Sequence, residues 1–110
     1  MTYLVRIAPT VRAQIEEQID YYLGEGVSVE TALAWAIELD QRFESLEKFP
    51  NRFPIDERRT QALGREIRRF EQGSFYVFYR VEDDERIVNV LDIRHTSRRP
   101  IAQDSEADDQ

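Results

Sequence analysis

The sequence predicts an α+β domain in the order β-α-α-β-β-β, a helical hairpin packed on a mostly antiparallel sheet. Three observations predict it. Apolar residues recur at helical spacing in two segments between Pro9 and Lys48. A proline-bearing break, "FPNRFP" (49–54), closes that half of the chain. Three β-prone segments then follow, joined by short links that suit hairpin turns.

Each element has its own grounds. "TYLVRIA" (2–8) alternates in part and reads as a short first strand. Pro9 suits the first turn of a helix, and Val11, Ile15, Ile19, Tyr22 and Leu23 make its apolar face. "GEG" (24–26) stops that helix. Ser28 caps a second one, with Glu30 favourable in its first turn. Its stripe is Ala32, Trp35, Ala36, Leu39, Phe43 and Leu46, and it runs to about Lys48. The short link makes the two helices an antiparallel hairpin. Between Pro54 and Arg65 no element is read. "REIRRF" (65–70), "FYVFYRV" (75–81) and "RIVNVLDIR" (86–94) are strands of an antiparallel meander. The last carries Ile87, Leu91 and Ile93 on one face and Val88 and Val90 on the other, which predicts a central position. The helices cover one face of the sheet and leave the other partly open.

The chain has 110 residues and 41% hydrophobic content, enough for one globular domain over 1–101. Residues 102–110 are small, polar and acidic, and are expected to be a disordered tail. There is no cysteine and one histidine, which removes disulfides, thiolate chemistry and a protein-only zinc site. Neither a cofactor nor a metal is expected. No apolar run approaches membrane-spanning length and no signal peptide is evident, so a cytoplasmic protein is expected.

The formal charge of −7 is unevenly spread. Residues 1–57 hold 5 basic and 11 acidic side chains, residues 58–101 hold 10 and 7, and the tail holds 4 acids and no base. Of the 15 basic residues 14 are arginine, a planar fork suited to carboxylate or phosphate. Arg65, Arg68, Arg69, Arg80, Arg94, His95, Arg98 and Arg99 all fall on the sheet segments or just past the last. Arg68 and Arg80 are expected to flank one surface, with the 94–99 run at its edge. With Phe70, Tyr76 and Phe78 they suit phosphates and stacked bases, or a carboxylate-rich peptide. Singly, each arginine is better explained by pairing with Glu66, Glu71, Glu82 or Asp92. As a group they repel one another, which folding alone does not reward. His95 suits general acid–base work, although a histidine ending a strand more often bonds backbone.

Taken together, the pattern resembles the RelE/ParE superfamily of type II toxin–antitoxin toxins, the plasmid stabilisation proteins, over about residues 3–99. The resemblance rests on the element order, "LEKFPNRFP", "GREIRRF", "FYVFYRVEDDERIVNVLDIRH" and the arginines beyond His95. It implies a growth inhibitor wrapped by a cognate antitoxin encoded by the adjacent gene, in an assembly such as a heterotetramer. Two activities follow from it. ParE-like members block DNA gyrase and need no catalytic residue. RelE-like members are mRNA interferases, cutting mRNA in the ribosome with basic residues and a tyrosine or histidine. This sequence lacks a tyrosine after Tyr79 and a lysine after Lys48, and has Phe75-Tyr76 where many members have Tyr-Arg. Gyrase inhibition is therefore the leading expectation. If the chain is a nuclease, Arg65, Arg68, His95 and Arg98 are the candidate set. As a partner-binding surface, the candidates are Arg68, Arg69, Arg80, Arg94, Arg98 and Arg99. A third reading is an inactive module that only binds antitoxin or corepresses an operator.

Overall fold

The computed structural model describes residues 2–96. Strand β1 (Leu4–Ile7) leads into helix α1 (Pro9–Gly24), which has proline in its first turn. Helix α2 (Val29–Ser45) follows, its N-terminus closed by Ser28 Oγ accepting from the Thr31 amide at 3.1 Å. It ends three residues before the predicted Lys48, in a turn that runs towards Pro50. A third, short helix, α3 (Glu57–Leu63), occupies the stretch where no element was expected. Strands β2 (Arg68–Gln72), β3 (Phe75–Glu82) and β4 (Ile87–His95) complete the chain.

The sheet order is β1-β4-β3-β2. β4 pairs parallel with β1 and antiparallel with β3, which pairs antiparallel with β2. The doubly apolar strand is thus interior, as its pattern predicted. The helices cover one face. Val11 of α1 and Leu39 and Phe43 of α2 pack with Phe70, Val77 and Val90 in the core. Trp35 joins them, edge-on to Tyr22 at 5.7 Å and tilted against Phe75 at 5.4 Å.

Two expectations are corrected. β2 starts at Arg68, not Arg65, because Gly64 at φ 70 ends α3 and residues 65–67 are needed to turn back. A register shift between Phe78 and Tyr79 leaves Leu91 as an extra, exposed residue on β4. That bulge moves Ile93 to the helix side with Val88 and Val90, not beside Ile87. The far face is partly open, as expected, and partly covered. α3 lies there, and Phe78 on that face is fully buried.

One core group has a pH signature. Tyr79 is fully buried and donates its hydroxyl to the Pro50 carbonyl at 2.7 Å. Burial pushes its phenol up to about 12, above the ordinary 10.0. The unfolded chain loses this proton first, so Tyr79 stabilises the fold below pH 10 and that contribution is lost as pH rises towards 12. Tyr79→Phe should remove this alkaline dependence from the melting curve. It should also cost about 1–2 kcal/mol by leaving the Pro50 carbonyl without its donor.

Candidate partner-binding face

Strand pairing assigns each candidate to a face. Arg69, Phe78 and Asp92 lie in one row across β2, β3 and β4, and Glu71, Tyr76 and Arg94 lie in the next. Both rows are on the face away from α1 and α2. Arg80 is on that face too, one residue beyond Tyr79 on β3. Arg68 is not. It pairs with Tyr79 and so points to the helix side. The expectation that Arg68 and Arg80 flank one surface is therefore overturned, because Arg68 stands opposite Tyr79 and the next residue of β3, Arg80, alternates to the other face.

Arg68 serves the structure on its own side. Its Nη1 donates to the Phe53 carbonyl at 2.7 Å and to Asn51 at 3.3 Å, tying the proline-bearing link to the sheet. Its Nη2 meets Glu66 at 3.5 Å. Arg65 is exposed in the link between α3 and β2. His95 pairs with Phe75, with the two rings edge-on at 5.2 Å. It lines a cleft of about 670 Å³ between α1 and the sheet end, shared with Gln14, Glu17, Tyr21 and Ser74. Arg68 pairs four residues further along β3 than His95 does. At about 3.3 Å per residue this is an offset of about 13 Å along the strands. The candidate nuclease residues within the described chain therefore do not converge. Arg98, Arg99 and the acidic tail lie outside the described residues.

The far face is where arginines gather. Arg69 stacks its guanidinium 4.5 Å from the Tyr76 ring centre and meets Asp56 at 3.4 Å. Arg94 stands directly across from Tyr76 and donates Nε to Asp92 at 2.9 Å. The Arg69 and Arg94 side chains keep 39% and 36% of their surface exposed, enough for a partner to reach. Arg80 is committed to Glu82 at 2.7 Å, and Glu82 also accepts from Asn89.

Arg59 was missed by sequence reasoning. α3 inserts its guanidinium over the Phe78 ring at 3.8 Å, where it meets the same Asp92 oxygen at 3.4 Å. Burial lowers its affinity for the proton, and Asp92 works against that shift. α3 forms because Asp56 caps it, accepting from the Arg59 amide at 2.8 Å, and Gly64 ends it. Those two residues were the available signal. Of the three aromatics expected to stack, Phe70 is in the core and Phe78 lies beneath Arg59, so only Tyr76 stays accessible.

Residues 5–100 match the family model described as ParE toxin of type II toxin-antitoxin system, parDE. The chain belongs to the ParE toxin family. A search of curated proteins found no match. The match takes in all or most of each element among the described residues, and it covers the arginine face and the 94–99 run together. Membership makes the chain a toxin of a type II system, and a ParE-family toxin implies an antitoxin partner. No helix among the described residues is long and apolar enough to cross a membrane.

Proposed function

We propose that this ParE-family chain arrests growth by binding DNA gyrase, without catalysis, and is neutralised by an antitoxin encoded beside it. One observation carries the proposal. His95 sits on the helix side against Phe75, whereas Arg69 is on the opposite face and Arg94, which borders the His95 cleft, commits its Nε to Asp92 on that opposite face. A proton-handling imidazole and phosphate-binding arginines would have to share one face to cut RNA. The arginines also already hold Asp56, Glu82 and Asp92, so the face suits specific recognition more than strong attraction to a polyanion. Arg69, Arg80, Arg94, Arg98 and Arg99 are the residues we assign to partner binding, and Arg68 to holding the 51–53 link. A toxin–antitoxin heterotetramer is the assembly we expect.

A second reading, ribosome-dependent mRNA cleavage, is favoured by Tyr76 lying between Arg69 and Arg94. A phenol between two guanidinium groups is a workable nuclease arrangement. Purified protein assayed in parallel for gyrase supercoiling and for ribosome-dependent mRNA cleavage separates the two. Supercoiling should fall while mRNA stays intact. Cleavage with intact supercoiling would reverse the assignment. Unimpaired growth on expression without antitoxin, with folded protein present, would favour an inactive binding module.

A further inference from the structure

Helix α2 carries a second apolar stripe besides the one it buries. Val29, Leu33 and Ile37 recur at the i, i+4, i+8 spacing and remain 57%, 48% and 55% exposed. Such residues share one side of the helix and form a straight ridge about 12 Å long. Nothing in the core uses it, since α2 buries Ala32, Leu39 and Phe43 instead. The ridge is bordered by exposed Glu30, Asp40 and Glu44. On a helical projection Asp40 and Glu44 fall on the same side as the ridge, one to two turns further along, and Glu30 falls beside it.

We infer that this ridge docks an amphipathic helix with a basic rim, supplied by a protein partner. Its straight i±4 geometry is the kind that fits the grooves of a facing helix. Its border selects the sign of the partner's charge. A second copy of α2 would bring Glu30, Asp40 and Glu44 no basic side chain, because Arg42, the one base of that helix, is turned to the Glu71 carbonyl, and an anionic lipid surface would repel them. A helix with leucine-like anchors and flanking lysine or arginine meets both requirements. This surface belongs to α2 and is separate from the arginine face, so it stands whichever target the toxin has.

The test titrates the isotope-labelled full chain with a synthetic helical peptide carrying leucine at i, i+3, i+4 and i+7 and lysine elsewhere, and follows backbone amide shifts. Shifts should concentrate in residues 29–44. Leu33→Gln/Ile37→Gln should weaken binding about tenfold or more, with an unchanged melting temperature because both side chains are exposed. Glu30→Lys/Glu44→Lys should weaken it comparably while leaving the ridge intact. A scrambled peptide of the same composition that binds equally well would show charge attraction alone and overturn the inference. So would a dimer of the parent that is lost in Leu33→Gln/Ile37→Gln, or binding of that peptide unaffected by either variant.

Discussion

Asp92→Ala is expected to destabilise the protein by about 2–4 kcal/mol, the largest loss from removing a single charge on the far face. One Asp92 oxygen serves two guanidinium groups, Arg94 at 2.9 Å and Arg59 at 3.4 Å. The Arg59 side chain is only 11% exposed and lies on the Phe78 ring, so losing Asp92 takes away a carboxylate at 3.4 Å in a place that water barely reaches. Removing one partner of a buried pair costs more than the pair contributes, because the remaining charge stays desolvated. Arg59→Ala should cost less in charge, since Asp92 keeps Arg94, but it uncovers Phe78. Chemical denaturation of the two single variants and the double variant checks this. The double should be more stable than the sum of the singles predicts, because the Arg59–Asp92 attraction is lost only once in it but is counted in both singles.

Arg69→Ala/Arg94→Ala is expected to abolish growth arrest and weaken antitoxin binding by on the order of 30-fold or more, the effect of losing about 2 kcal/mol or more of charged contact. Both side chains are more than a third exposed, and their buried carboxylates keep other partners, Asp92 the Arg59 guanidinium and Asp56 the Arg59 amide, so the melting temperature should shift only slightly. Arg69→Lys/Arg94→Lys keeps the charge and removes the fork. Partial activity in that variant would point to bidentate recognition of a carboxylate or phosphate. Growth curves, antitoxin titration and melting curves on the same preparations separate loss of contact from loss of fold. Arg98→Ala/Arg99→Ala belongs in the same series as the arginine pair just past β4.

What the sequence revealed, and what it hid, follows from where each signal is stored. The periodicity of α1 and α2 and the β-prone runs are local, so the elements and the interior place of β4 were readable. α3 buries no residue of its own, so it has no apolar stripe to detect, and its signals are the cap at Asp56 and the stop at Gly64. Arg68 shares the face of Phe70, two residues on, and which face of the sheet that is depends on the pairing of β2 with β3. The bulge at Leu91 exists only in the pairing of β4 with β3. The site of Arg59 is made by Phe78 and Asp92, which the fold alone brings beneath α3. Arginine enrichment in the second half was visible, but not its local neutralisation by Asp56, Glu82 and Asp92.

The central claim is that the arginine face acts by recognition and not by proton transfer. The measurement that tests it most directly is a gyrase supercoiling titration with three proteins: the parent, His95→Gln/Tyr76→Phe, and Arg69→Ala/Arg94→Ala. The His95/Tyr76 variant lacks the imidazole and the phenol that the nuclease readings invoke for proton transfer, and it should inhibit within about threefold of the parent, a difference under about 1 kcal/mol. The arginine variant should fail to inhibit while melting like the parent. Loss of activity in the His95/Tyr76 variant with full activity in the arginine variant would contradict the account.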